Sequence, residues 1–247
     1  MKILKRIAIA ITALVIIFAA FFGYYGIRAS NEIKVMKPAD TGEIIDGISV
    51  LKDNSQDMYV IKGTDGYIAV DAAMNASTIK RELGRLQIPA GQVKAILLTH
   101  TDSDHTGSIR LFENARVFIS DAEEQMIDGT TVRNMLIFKN KLDYDYDLLR
   151  DGQEIQLAGL KIRCVLTPGH TPGSMSYIIN DKYLFTGDTF RLKDGEATVF
   201  NEFFNMDSAK EMKSIEKLSR LTGIEELFTA HYGCSNDFAA AFGNIGK

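Results

Sequence analysis

Beyond residue 43 the chain changes periodicity repeatedly, and it does so in two similar rounds. Ile44–Leu51, Asp57–Lys62 and Tyr67–Asp71 are apolar or alternating runs of strand length, and Gly63-Thr64-Asp65-Gly66 supplies a hairpin turn between the last two. Ser77–Gln87 carries Ile79, Leu83 and Leu86 at helical spacing, with Ser77 placed as an N-cap. Val93–Leu98 and Arg116–Ile119 have the character of buried strands, and a short helix is expected from Asp121. The second round gives strands at Glu154–Leu157, Leu160–Leu166, Ser174–Ile179 and Tyr183–Thr186. It continues with an amphipathic helix at Ser208–Leu221 (Met212, Ile215, Leu218 and Leu221 on one face), a last strand at Glu226–Thr229 and a short helix from Phe238. Strand-rich halves that each end in helix are satisfied by two sheets packed face to face with helices outside. The expected fold class is α+β, a four-layer αββα sandwich.

Residues 129–149 depart from this pattern, with Met135, Leu136, Ile137 and Phe138 in succession, then Leu142, Tyr144, Tyr146, Leu148 and Leu149. Two readings stand equal: an inserted helical or looping element at the mouth of a site, or a core-packing helix.

The N-terminus is of another kind. Ile7–Ile27 holds no charged residue, and its 21 residues would reach about 30 Å as a helix, enough to cross a bilayer core. Phe21, Phe22, Tyr24 and Tyr25 fall near one end, where aromatic rings favour the interface. Lys2, Lys5 and Arg6 precede the stretch and only Arg28 follows closely, a bias that places the N-terminus in the cytoplasm and the remainder outside. The expected organisation is a membrane anchor over residues 1–28, a polar linker over 29–43 and one folded domain over 44–247. A cleaved signal peptide, giving a secreted protein, is the alternative. It lacks a convincing small-x-small site, since Ile27 occupies the outer position before Ala29.

Composition narrows the function. Past residue 28 there remain 24 basic and 32 acidic residues, a balance that disfavours nucleic acid, whose binders draw most of their affinity from phosphate contacts. The two cysteines make no disulfide framework: Cys164 lies in an apolar run and reads as a buried thiol, whereas Cys234, three residues after His231, could approach a site.

The chemistry starts at Thr99-His100-Thr101-Asp102-Ser103-Asp104-His105-Thr106-Gly107, directly after the strand Val93–Leu98. Four possible ligands in six positions, two of them acidic, call for a counter-charge, which a divalent cation supplies. The chain has only four histidines. His170 follows Leu160–Leu166, His231 follows Glu226–Thr229, and Asp188 follows the strand that ends near Thr186. Strand ends are where sheet-based enzymes place binding groups. A hydrogen-bonded core role would not put every histidine past a strand end.

These residues closely resemble the metallo-β-lactamase superfamily, over roughly residues 44–240. The family pattern is His-x-His-x-Asp-His followed by a His, an Asp and a His, each on a strand-end loop. The resemblance implies two divalent ions, zinc by family. His100 and His170 would serve the first ion, Asp104, His105 and His231 the second, and Asp188 would bridge them. Asp71 would orient the ligand loop through hydrogen bonds. The segment Thr167 through Asp188 looks like the glyoxalase-II and lactonase-type branch. One departure is Asp102, which stands where the family usually has its second His. As a metal ligand, carboxylate is harder than imidazole and shifts the first site toward manganese or iron, or weakens it enough to leave one ion.

By the same resemblance the reaction is hydrolysis by a metal-bound hydroxide, with Asp104 or Asp188 orienting the nucleophile and accepting its proton. Tyr232 would donate to a developing oxyanion or simply pack. Family β-lactamases often carry Cys where Asp188 stands, so β-lactams are disfavoured. The spacing from Asp188 to His231 leaves no room for the inserted domain of the RNA-processing branch, and the chain ends soon after His231. A small ester, lactone or thioester is the leading substrate class. The alternatives are a phosphodiesterase or nuclease, a mono-iron oxygenase of the sulfur-dioxygenase type, and a non-catalytic membrane-tethered metal-binding protein.

Overall fold

In the computed structural model, residues 2–45, 47–133 and 139–246 are described. The chain divides into two units, residues 1–36 and 37–247. The first is a single helix, α1 (Lys2–Lys34), which continues through residues 29–34 of the stretch read as a linker. Leu14, Val15, Ile16 and Ile17 are all exposed. By length and composition α1 is able to cross a membrane.

The second unit begins with β1 (Gly42–Ile45), β2 (Ile48–Asp53), β3 (Gln56–Gly63) and β4 (Gly66–Val70), an antiparallel meander. The single run expected at Ile44–Leu51 is two strands, because Gly47, with φ +79°, turns the chain back on itself. The helix α2 (Ala76–Arg85) follows. Its N-cap is Asn75, not Ser77: the Asn75 carboxamide oxygen accepts from the amides of Ser77 and Thr78. Then β5 (Val93–Leu97), β6 (Arg116–Ser120) and β7 (Tyr146–Leu149) extend the sheet in parallel, with the one-turn helices α3 (Ser103–Thr106) and α4 (Glu124–Asp128) between them. β7 comes from the segment expected to be a loop or a helix. Met135–Phe138 of that segment lie outside the described residues.

A second sheet has the order β15-β14-β11-β10-β9-β8, from β8 (Glu154–Leu157), β9 (Leu160–Leu166), β10 (Met175–Ile179), β11 (Tyr183–Phe185), β14 (Glu226–Phe228) and β15 (Cys234–Ser235). β15 was not expected; it pairs antiparallel with β14 over two residues, too short to leave a periodic signal. A small hairpin, β12 (Arg191–Lys193) with β13 (Glu196–Thr198), precedes α5 (Ser208–Ser219), and α6 (Phe238–Ala241) lies near the end.

Alternation along the strands makes the layers. In β3, Tyr59 and Ile61 enter the cluster between the sheets, with Ile48, Val70, Leu97, Tyr177 and Phe228. Met58 and Val60 face the other way and pack with Ile79 and Leu83 of α2. On the outer face of the second sheet, Ile178, Leu184 and Leu227 pack with Ile215 and Leu218 of α5. The order helix, sheet, sheet, helix is the expected four-layer sandwich. Two buried phenols join the sheets where the site loops begin. Tyr59 donates to the Thr229 carbonyl and Tyr177 to the Leu98 carbonyl, each at 2.7 Å.

Candidate metal centre

Five loops leave strand ends at one edge of the sandwich. β4 leads to Asp71, β5 to the His100–His105 segment, β9 to His170, β11 to Asp188 and β14 to His231. The loop from β5 is shaped by Asp71, a buried residue with φ +61°. Its carboxylate accepts from the Thr99 amide at 2.8 Å, from the Thr99 hydroxyl at 2.9 Å and from His105 Nδ1 at 2.8 Å. Gly187 also has positive φ, and a Cβ there would collide with the Thr99 side chain, so glycine lets the Asp188 loop lie against the His100 loop.

All four histidines turn Nδ1 outward to an oxygen. His100 meets the Thr99 hydroxyl at 3.1 Å, His105 meets Asp71, His170 meets Asn205 Oδ1 at 3.2 Å and His231 meets the Ser55 carbonyl at 2.6 Å. Those acceptors hold the ring proton on Nδ1 and leave the Nε2 lone pair facing inward, the tautomer a metal ligand needs. All four rings are buried.

The inward atoms converge in two halves. In one, His105 Nε2 stands 3.5 Å from Asp188 Oδ1 and 3.8 Å from Asp104 Oδ2, and His231 Nε2 stands 3.3 Å and 3.6 Å from the same two oxygens. In the other, Asp102 Oδ2 stands 3.5 Å from His100 Nε2 and 3.3 Å from His170 Nε2. Asp188 faces both halves, for its Oδ2 lies 3.4 Å from His170 Nε2. Every predicted ligand is therefore in the cluster. Tyr232 lies beside it with its ring edge-on to Phe200 at 6.1 Å.

The Asp102 half also holds a residue that the sequence did not single out. The Arg133 guanidinium pairs with Asp102 Oδ2, donates to the Phe204 carbonyl, and brings Nη2 to 2.9 Å from His170 Nε2. Asn140 donates to Asp102 Oδ1 at 3.0 Å. Arg133 and Asn140 lie on either side of residues 134–138, so the described ends of the 129–149 segment do reach the site. The buried Phe200 ring lies 5.2 Å from His170 and 5.6 Å from His231.

Charges in the cluster sustain one another. Burial alone would raise the Asp188 carboxyl, but the imidazoles of His231, His105 and His170 hold it well below the usual carboxylate range. Burial alone would lower His105, but Asp71, Asp188 and Asp104 hold it well above the usual imidazole range, so an Nε2 proton must leave before that lone pair can meet a cation. Asp102 is held far down against its burial, chiefly by Arg133.

Two further carboxylates brace the loops. Glu123 is fully buried; Oε1 accepts from the amide and hydroxyl of Thr101, each at 2.8 Å, and Oε2 from the Thr171 hydroxyl at 2.7 Å. Glu211, also buried, accepts from the Phe200 amide at 2.9 Å and from Asn205 Nδ2 at 2.6 Å, and Asn205 in turn holds His170. Burial pushes the Glu211 carboxyl from about 4.5 up to about 8. A raised acid favours folding below its unfolded pKa, and that contribution is lost as pH rises through the folded value. Stability should therefore fall between pH 4.5 and about 8, at up to about 1.4 kcal/mol per pH unit. Glu211→Gln retains an acceptor oxygen and should flatten the decline in urea midpoints measured across this range. Parallel declines in both proteins would remove Glu211 as the cause.

Comparison with known proteins agrees with this arrangement. The profile of the metallo-beta-lactamase superfamily matches residues 51–231, which take in every strand from β3 to β14 and all seven candidate metal ligands. The chain belongs to the metallo-beta-lactamase superfamily. Among curated superfamily relatives, a hydroxyacylglutathione hydrolase of Buchnera aphidicola is 34% identical over 181 residues, 70% of this chain and 62% of that protein. The probable polyketide biosynthesis zinc-dependent hydrolase BaeB of Bacillus velezensis is 34% identical over 125 residues, 49% of this chain and 48% of that protein. The matches thus span between about half and three-fifths of those relatives' lengths. Two solved structures share the fold. A metallo-beta-lactamase family protein from Thermus thermophilus aligns with TM-score 0.62 at 23% identity, covering 79% of this chain and 76% of that one. A subclass B3 metallo-beta-lactamase of Bradyrhizobium japonicum aligns with TM-score 0.62 at 22% identity, covering 79% of each.

The superfamily implies resident metal, and the half built from Asp104, His105, Asp188 and His231 fits it. Ligands held tetrahedrally at about 2.0–2.1 Å from zinc stand roughly 3.3 Å from one another, close to the separations in this half. Among the described residues, the buried His105 Nε2 and Asp188 Oδ1 have no hydrogen-bond partner, the state of groups built to meet a cation. The Asp102 half differs, because a guanidinium already stands in it.

Proposed function

We propose that this superfamily member is a metal-dependent hydrolase of the glyoxalase-II and lactonase-like branch, acting on a small ester, lactone or thioester. The observation that carries the reading is the convergence of inward imidazole nitrogens and the Asp104 and Asp188 carboxylates at ligand spacing on strand-end loops. A divalent cation held by Asp104, His105, His231 and Asp188, zinc by family, would bring the pKa of a coordinated water toward neutrality.

The chain's own residues supply the rest. Asp71 fixes the His105 ring and the Ser55 carbonyl fixes His231, so both present a lone pair without rearrangement. Asp104, whose side chain is one-third exposed, lies at the rim, where it can orient the attacking water and release its proton to solvent. The buried Phe200 ring packs against His170 and His231 and keeps water from that side of the two rings. The similarity to a hydroxyacylglutathione hydrolase supports an acyl compound as substrate. The helix α1, with Lys2, Lys5 and Arg6 before its apolar stretch, would hold the domain on the outer side of a membrane.

The test is hydrolysis by the detergent-solubilised chain of p-nitrophenyl acetate, a γ-lactone, an acyl thioester and bis-p-nitrophenyl phosphate, before and after EDTA and zinc repletion. Turnover of a carbonyl substrate that EDTA abolishes and zinc restores is the expected result. Turnover confined to the phosphodiester would replace this reading with the phosphodiesterase one. No turnover of any of the four, with zinc bound, would overturn it.

A further inference from the structure

We infer that the Arg133 guanidinium takes the place of the first metal ion, so that this chain carries a single resident cation, in the half formed by Asp104, His105, Asp188 and His231. The inference rests on the metal-dependent reading above and restricts it.

An imidazole nitrogen has one lone pair, which either accepts a hydrogen bond or binds a metal. In this structure the His170 Nε2 lone pair faces Arg133 Nη2 at 2.9 Å, while Nδ1 faces Asn205. Asp102 is engaged at both oxygens. Oδ2 pairs with Arg133 Nη2, and Oδ1 accepts from Arg133 Nε at 3.3 Å and from Asn140 Nδ2 at 3.0 Å. Two guanidinium nitrogens on one carboxylate make the bidentate pairing that arginine forms best, and the charge is permanent. The Phe204 carbonyl fixes the other end of the fork. The pair is largely sheltered, with 16% of the arginine side chain and 18% of the aspartate side chain exposed.

Charge accounts for the asymmetry between the halves. Asp102 and Arg133 neutralise one another. In the other half Asp71 is committed to His105 and Thr99, and Asp104 and Asp188 bring two negative charges with no arginine or lysine among their contacts in the described residues. One divalent ion balances that pair. His100 Nε2, buried and without a hydrogen-bond partner, lies within 4.8 Å of donor atoms on both sides, Asp102 with His170 and His105 with Asp188, and so stands between the halves. Asp102 then has a reason to be acidic: it is the counter-charge of Arg133, where the neutral imidazole usual in the family would leave the guanidinium unpaired.

The experiment is metal stoichiometry by plasma mass spectrometry. The full chain in detergent is loaded with excess zinc and freed of unbound ion. About one zinc per chain in the wild type, doubling to two in Arg133→Ala, is the expected result. If Arg133→Ala aggregates, Arg133→Gln also removes the cation and should give the same doubling. Two zinc ions per wild-type chain would overturn the inference and leave the hydrolase reading standing. One zinc in the wild type and one in both variants would overturn it as well, because the arginine would then exclude nothing. No zinc in any of the three proteins would overturn the metal-dependent reading together with this one.

Discussion

Asp188→Asn is expected to leave the protein folded and almost free of tightly bound zinc. Asp188 is the residue shared by both halves of the cluster, with Oδ1 at 3.5 Å from His105 and 3.3 Å from His231, and Oδ2 at 3.4 Å from His170. The amide has nearly the same shape, so packing survives. It carries no charge and offers a nitrogen where Asp188 offers a second ligand oxygen. Structural zinc sites bind with roughly 10–16 kcal/mol spread over about four ligands, so losing one ligand costs about 3 kcal/mol, or more than a hundredfold in affinity. Equilibrium dialysis against a zinc buffer measures this directly. Thermal unfolding in EDTA should place variant and wild type close together, which separates lost affinity from lost structure. Wild-type affinity in Asp188→Asn would remove this carboxylate from the ligand set.

Asp71→Ala is expected to damage the fold itself. The carboxylate accepts the Thr99 amide, the Thr99 hydroxyl and the His105 ring N–H, all in a buried setting. Each buried donor left unpaired costs about 1–3 kcal/mol, and breaking such a network costs about 3–5 kcal/mol, a large share of the 5–15 kcal/mol that stabilises a typical domain. The backbone adds to this, since Asp71 holds φ +61°, a conformation that aspartate and asparagine tolerate better than alanine. Asp71→Asn keeps an acceptor oxygen and the backbone preference, so it should recover much of the loss while still lowering zinc affinity about 10–100-fold. Urea unfolding of the three proteins in EDTA checks the order wild type, Asn, Ala. A loss below about 1 kcal/mol in Asp71→Ala would mean that the loop is held by other contacts.

The convergence of the four histidines was legible because they are few and because each follows a strand. A strand end fixes the direction of the next residues, so the sequence order of strands and histidines already implied one edge of one sandwich. Arg133 was not legible. It is 31 residues from Asp102, and an arginine in a polar stretch before an apolar run is indistinguishable in sequence from a solvated one. Asp102 was visible as a departure, but local sequence offers a carboxylate no hint of a distant guanidinium. Glu123 was hidden for the same reason: its partners are 22 and 48 residues away. β7 had left a trace, for Leu142, Tyr144, Tyr146 and Leu148 alternate at the strand period, but the consecutive apolar residues before them obscured it. At α2 the helical spacing pointed to Ser77 as the cap. Only the backbone shows that Asn75 turns its oxygen onto the first helical amides.

Glu123 stands just past β6, Thr101 after β5 and Thr171 after β9, so one carboxylate fastens loops that belong to different sheets. The backbone of Glu123 also lies directly against Gly173, where any side chain would collide with it. None of these positions can drift alone. Over descent, 101, 123, 171 and 173 should therefore be inherited as a set. A lineage that exchanges Glu123 should show compensating changes at both threonines, and a chimaera that grafts the His170 loop from a relative should need that relative's residue at 123 to fold.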